Sequence, residues 1–167
     1  MKELWVEKYR PTSVKDYVFR DDKQKKQVSS WVESGAIPHL LFSGAAGTGK
    51  TTLAKVLLNE LDVDDGDVMF INASSENNVD TMRTKINGFA SSLPFSGDFK
   101  YVLLDESDYL SQNAQAILRN MMETYSTTCR FILTCNYPNK VIPAIHSRCQ
   151  GYHLSLIHIS EPTRPSI

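Results

Sequence analysis

Eight residues, Gly44-Ala45-Ala46-Gly47-Thr48-Gly49-Lys50-Thr51, constrain this chain more than any other stretch. They fit the phosphate-binding spacing G-x-x-x-x-G-K-[ST], and each residue type has a physical task there. The glycines let the loop curl so that backbone N–H groups point inward at anionic oxygens. Lys50 supplies a positive charge for the β- and γ-phosphates, and the Thr51 hydroxyl suits a Mg²⁺ shell. The flanks agree with this reading. His39 to Phe42 reads as a short buried strand entering the loop, and Thr52 to Leu58 continues as a helix whose positive N-terminal end faces the anion.

The remaining chain repeats that strand–helix alternation. Asp21 is placed to cap a helix through Val32, ended by Gly35 and Pro38. Val68 to Ile71 reads as a second buried strand after the acidic turn Asp62 to Asp67. Asn77 or Asn78 caps a helix with Val79, Met82, Ile86 and Phe89 on one face. Tyr101 to Leu104 forms a third strand entering Asp105-Glu106. Ser111 caps a helix burying Ala114, Ile117, Leu118, Met121 and Met122. Arg130 to Thr134 forms a fourth strand, Val141 to His146 one or two helical turns, and a fifth strand begins near Gln150. Continuous apolar strands separated by amphipathic helices imply a parallel sheet covered on both faces, with ligands beyond the carboxyl ends of its strands. The loop, Asp105-Glu106 and Asn136 all fall at such ends.

Composition narrows the class. The chain has 167 residues, a length for about one domain, with 41% hydrophobic and 22% charged residues. A net charge of −1 argues against a histone-like or tail-driven nucleic-acid binder. Cys129, Cys135 and Cys149 are odd in number and too widely spaced for a metal or disulfide pattern, which suits buried reduced thiols in a cytoplasmic protein. No apolar run approaches the roughly 20 residues that cross a bilayer, and the N-terminus lacks the apolar core of a signal peptide, so no membrane partner is expected.

An acid ending a buried strand can hold Mg²⁺; Asp105 takes that role, and Glu106 is placed to polarise an attacking water. Asn136 either ends its strand as a turn residue or reaches the γ-phosphate. Arg148, in Ser147-Arg148-Cys149, either pairs with an acid of its own chain or reaches a neighbour's γ-phosphate.

An ordered set of motifs carries a resemblance. Trp5-Val6-Glu7-Lys8-Tyr9-Arg10-Pro11, GAAGTGKTT, Ile71-Asn72-Ala73-Ser74, LLDESD, LRNMMETYS, FILTCN and Ser147-Arg148-Cys149 occur in the order found in sliding-clamp loader ATPases. The chain resembles replication factor C small subunits. Through FASSLPFSGDFKYVLLDESDYLS it is still more similar to the large clamp-loader subunit of T-even-type phages, for which the host cytoplasm is the expected location. The resemblance covers Leu4 to about His153. It implies a three-layer α/β P-loop NTPase domain of the AAA+ type, with a five-stranded parallel sheet and helices on both faces.

The resemblance also implies roles. Val6, Glu7, Lys8, Tyr9 and Val18 line the adenine side, within an N-terminal arm of residues 1–20. Gly47, Thr48, Gly49, Lys50, Thr51 and Thr52 hold the phosphates of ATP, and Thr51 and Asp105 hold Mg²⁺. Lys50, Glu106, Asn136 and Arg148 form the catalytic set, with Asn136 a sensor and Arg148 an arginine finger acting in trans. Asn72 matches a regulatory residue that restrains the catalytic glutamate until DNA binds. Helix starts near Asn78 and Ser111 track DNA phosphates; Arg83, Lys85 and Arg119 are either basic supports or a solvated face. The partners implied are other loader subunits in a hetero-pentamer, a sliding clamp and primer–template DNA. The corresponding activity is ATP hydrolysis coupled to clamp opening and loading. The alternatives are another AAA+ DNA motor, such as a branch-migration helicase, or a nucleotide-binding module without turnover. Family loops often carry two prolines where this one has Ala45-Ala46, which predicts a less rigid loop entry.

Past His153 the resemblance stops. Residues 154–167 resemble a translated transposase-adapter sequence, so they are expected to be a non-native tail. Residues 1–153 then form the nucleotide-binding base, with the lid and collar domains of the family missing.

Overall fold

The computed structural model describes residues 22–75 and 78–154. Five strands, β1 (Leu40–Ser43), β2 (Val68–Asn72), β3 (Lys100–Asp105), β4 (Cys129–Cys135) and β5 (Gln150–His153), form one parallel sheet in the order β2-β3-β4-β1-β5. Among the described residues, five α-helices connect or flank them: α1 (Asp22–Ser34), α2 (Lys50–Glu60), α3 (Val79–Ala90), α4 (Gln112–Thr124) and α5 (Pro143–His146).

Side-chain alternation along the strands builds two cores. Leu40, Phe42, Tyr101, Leu103 and Ile132 point to one face and pack with Val28 and Trp31 of α1 and Leu53, Val56 and Leu57 of α2. Leu41, Val102, Leu104, Phe131 and Leu133 point to the other, where Met82 and Ile86 of α3 and Leu118, Met121 and Met122 of α4 cover them. Both faces are apolar because both are covered, as parallel sheets require. The inward helix positions follow the 3.6-residue period, although Val79, Phe89 and Ile117 lie at the margins, half-buried.

Two details depart from the sequence reading. β2 is an edge strand, and only Ile71 in it is buried; Phe70 is 50% exposed, beneath the Lys55 ammonium at 5.5 Å. An edge position deprives the strand of one neighbour, which composition alone does not report. Leu154, the first residue of the expected tail, belongs to the α1/α2 core at 4% exposure, and its N–H donates to the Ser43 carbonyl at 2.7 Å. Residues 155–167 lie outside the described residues, as do the arm and its Val6, Glu7, Lys8, Tyr9 and Val18.

The register fixes what lies at each end of the sheet. β4 lies between β1 and β3, so the segments after these three strands emerge side by side. Leu40 is in register with Gln150, which puts the Ser147-Arg148-Cys149 segment at the opposite, amino-terminal end.

Candidate nucleotide site

The loop after β1 is shaped by its glycines and fastened by its own side chains. Gly47 and Gly49 have φ of 82° and 87°, in the left-handed region where a side chain is strained. A Cβ on Gly44 would meet the Leu154 carbonyl oxygen at 2.3 Å, so the close passage of that backbone requires glycine. Lys50 Nζ donates to the carbonyls of Gly44 and Ala45 at 2.8 and 2.9 Å, and Thr48 Oγ1 donates to Ala45 at 2.8 Å. The loop entry, without prolines, is therefore tied at the Ala45 carbonyl by two side chains. Burial lowers the Lys50 pKa, opposed by the nearby acids Asp105, Asp108 and Glu106.

Helix starts differ in how their first-turn donors are met. Asn78 Oδ1 accepts from the N–H groups of Asp80 and Thr81 at α3, and Ser111 Oγ accepts from Ala114 at α4. At α2, Gly49 is the cap residue and has no side chain to offer. That start therefore suits an anion supplied from outside the chain.

The acids meet the loop across the sheet. Thr51 Oγ1 donates to Asp105 Oδ1 at 2.9 Å, and the buried Thr134 hydroxyl donates to the same oxygen. Thr134 Oγ1 in turn accepts the Glu106 N–H at 3.0 Å. Glu106 itself adopts φ 56° and ψ 47°, a left-handed conformation that costs a non-glycine residue on the order of 1 kcal/mol or more and is characteristic of functional turns. Ser107 Oγ then donates to the Thr134 carbonyl at 2.9 Å, and Asp108 Oδ2 accepts the N–H groups of Asn136 and Tyr137 at 3.1 and 3.0 Å. Lys50, Thr51, Asp105, Glu106 and Asn136 thus gather at the carboxyl edge of the sheet. Thr51 and Asp105 bring two hard oxygens within 2.9 Å of each other, a donor pair that fits Mg²⁺.

Other candidate residues are engaged differently. Asn72 is in register with Asp105, and its Oδ1 accepts from the Ser74 N–H at 2.9 Å and the Ser74 hydroxyl at 2.6 Å. Arg148 is ion-paired with Glu123 at the end of α4, and Arg119 reaches the same carboxylate at 3.2 Å. Arg83 pairs with Asp80 at 3.7 Å. Burial pushes all three free thiols up to about 12; Cys129 and Cys135 are buried, whereas Cys149 is only half-buried.

Thr134, Asp108 and Gln115 had no role in the sequence reading. Gln115 is 1% exposed; its Nε2 donates to the carbonyls of Leu110 and Lys140, and its Oε1 accepts from Ile142 N–H, tying α4 to the segment before α5. A polar residue inside the apolar stripe of α4 was the available signal. For Thr134 there was none, because threonine is ordinary in strands.

The fold and the convergence of loop and acids define a P-loop nucleotide-binding α/β domain. Residues 40–154 match the family described as "ATPase family associated with various cellular activities (AAA)", and the chain belongs to that family. It is 49% identical over 153 residues to the replication factor C small subunit of Methanoregula boonei, covering 89% of this chain and 47% of that protein. The replication factor C small subunit of Methanococcus maripaludis is 46% identical, with coverages of 93% and 50%. The chain spans about half the length of these curated relatives. Among solved structures, the Thermotoga maritima RuvB Holliday junction branch migration motor superposes with a TM-score of 0.69 at 19% identity, covering 88% of this chain and 48% of that one. A DNA polymerase III gamma subunit-related protein from the same organism gives 0.67 at 19% identity, with coverages of 79% and 47%. At such identities these two likenesses show a shared fold.

Proposed function

We propose that this chain is the ATP-binding and ATP-hydrolysing base of a sliding-clamp loader subunit. The observation that carries the proposal is the convergence of Lys50, Thr51, Asp105 and Glu106 at one sheet edge, in a chain 49% identical to a replication factor C small subunit. The branch-migration reading has only the fold in its favour. The curated relatives named are archaeal; the phage-type reading rests on the Phe89–Ser111 stretch of the sequence.

In this reading the loop N–H groups and Lys50 bind the triphosphate, with Lys50 exchanging its loop carbonyls for phosphate oxygens. Thr51 and Asp105 would hold Mg²⁺, which neutralises phosphate charge when bound. Glu106, held by Thr134, orients and deprotonates the attacking water. Asn136 contacts the γ-phosphate from the adjacent strand end. Arg148 acts on a neighbouring subunit. β5 alone separates Arg148 from its own phosphate edge by about 13 Å of strand, so the site is completed by assembly. Asn72, the last residue of β2, and the helix starts at Asn78 and Ser111 lie at the same sheet edge and serve the DNA-facing side, with Arg83 and Lys85 as flanking cations, whereas Arg119 shares Glu123 with Arg148 at the other end. Other loader subunits, a sliding clamp and primer–template DNA are the partners. The base comprises residues 1–153, with 154–167 a non-native extension whose first residue, Leu154, packs into the core of the base.

The test is steady-state ATP hydrolysis by the chain alone, then with loader subunits, clamp and primer–template DNA. The expected result is nucleotide binding with little turnover alone and strong stimulation on assembly. Robust turnover by the monomer, abolished by Glu106→Gln, would overturn the assembly-dependent reading.

A further inference from the structure

Backbone pairing between β3 and β4 ends at Leu104 and Leu133, yet the two chains stay joined beyond it through side chains. Asp105 Oδ1 accepts the Thr134 hydroxyl, and the next three residues add further joins: Glu106 through its N–H to Thr134, Ser107 through its hydroxyl to the Thr134 carbonyl, and Asp108 through Oδ2 to the N–H groups of Asn136 and Tyr137. The joins before Asp108 fasten the acid turn to the strand. That of Asp108 differs, because it grips the chain on both sides of one α-carbon.

The N–H groups of Asn136 and Tyr137 belong to the peptide planes before and after the Asn136 α-carbon. One carboxylate oxygen accepting both turns the two planes toward a common point, the arrangement by which successive backbone donors bind an anion. Orienting both planes fixes the direction in which the Asn136 side chain leaves the backbone. Asp108 is itself 8% exposed, and its Oδ1 has no hydrogen-bond partner among the described residues. Burying a carboxylate on two donors is costly, and a merely capped loop would be served by a neutral side chain. The charge strengthens both N–H bonds.

We infer that Asp108 is a positioning residue: it sets the Asn136 carboxamide relative to Glu106, so that two strand ends read the γ-phosphate as one unit. The inference rests on the nucleotide-site reading above. Glu106 and Asp108 flank one residue and share the turn that follows β3. A movement of the acid turn must therefore be transmitted to Asn136, and a displacement of about 1 Å at a reacting group is enough to matter.

The test separates γ-phosphate recognition from nucleotide binding. Equilibrium titrations with ADP and with a non-hydrolysable ATP analogue are made on wild type, Asp108→Ala, Asp108→Asn, Asn136→Ala and the Asp108→Ala/Asn136→Ala pair. Asp108→Ala should weaken the triphosphate analogue about tenfold while leaving ADP unchanged. Asp108→Asn, which keeps one oxygen able to accept both N–H groups but not the charge, should restore the preference in part. In the Asn136→Ala background, Asp108→Ala should add no further loss. Equal weakening of ADP and the analogue, or losses that multiply in the double variant, would overturn the inference. A wild-type chain that binds neither nucleotide overturns the site reading itself, and this inference with it. If Asp108→Ala does not fold, amide exchange in wild type decides: the Asn136 and Tyr137 amides should be protected more by the analogue than by ADP, and equal protection counts against the idea.

Discussion

Thr51 Oγ1 donates to Asp105 Oδ1 at 2.9 Å, although the two residues are 54 positions apart in the chain. One lies in the first turn of α2 and the other ends β3, with β4 lying between β1 and β3. The pair joins the phosphate loop to the acid strand, and Thr134 of the intervening strand bonds the same carboxylate oxygen.

That pairing gives two different phenotypes. Lys50→Ala should reduce affinity for any nucleotide about 10- to 100-fold, because a charge-assisted contact to phosphate is lost. Thr51→Ala should leave affinity in EDTA unchanged and remove most of the gain produced by added Mg²⁺. Calorimetric titration with and without the metal measures both.

Glu106 occupies a left-handed turn, with its N–H on Thr134 and its place in the site set by the backbone. Glu106→Gln should preserve ATP binding and lower turnover of the assembled enzyme about 10²- to 10⁴-fold. Loss of binding in parallel with turnover would show that the side chain is a ligand rather than a base.

Arg148 is 44% exposed and paired with Glu123. An exposed ion pair contributes less than about 1 kcal/mol, so Arg148→Ala should leave the melting temperature nearly unchanged. Hydrolysis by a mixed assembly should fall by about 10³-fold or more at the neighbouring site only. A large fall in thermal stability would assign the residue to the fold instead.

Gly44 has φ 152° and faces the Leu154 carbonyl. Gly44→Ala should destabilise the domain by about 1–3 kcal/mol through a forced backbone shift. Gly47 has a positive φ but open space around it, so Gly47→Ala should cost less. Urea denaturation of the two variants compares them directly.

His39 Nδ1 accepts the Phe131 N–H at 3.0 Å, which requires an unprotonated nitrogen there. Burial first, then the charge of Arg130, lowers its pKa from 6.5 to about 4. The unfolded chain therefore binds a proton that the folded chain refuses between these values. This contribution to stability is complete above pH 6.5, falls as the pH drops toward 4, and is flat below. His39→Asn, which keeps an acceptor without a titrating group, should flatten that part of the pH dependence of the urea midpoint.

The segments whose information is local were legible in the chain. The Gly44–Thr51 spacing announced a loop for phosphate, Asn78 and Ser111 announced helix starts, and Met82/Ile86 and Leu118/Met122 announced the inward faces. Strand ends moved by a residue or two; β1 runs Leu40–Ser43 rather than from His39. The edge position of β2 was hidden, because an apolar run has the same letters whether one neighbour or two will cover it.

By itself, then, the sequence determined which side chains could serve a phosphate and which helix faces had to be buried, since both follow from residue type and short-range period. Tertiary structure alone decided that β4 enters between β1 and β3. From that order come the Thr134 bridge between Asp105 and Glu106 and the Asp108 grip on Asn136, while the pairing of β5 with the other side of β1 brings the Leu154 carbonyl beside Gly44. The same fold places Arg148 at the far end of the sheet from the phosphate loop. The physical reason is the same for all of these: hydrogen bonds and contacts between distant segments depend on strand order and register, and residue periodicity encodes only which way each side chain points.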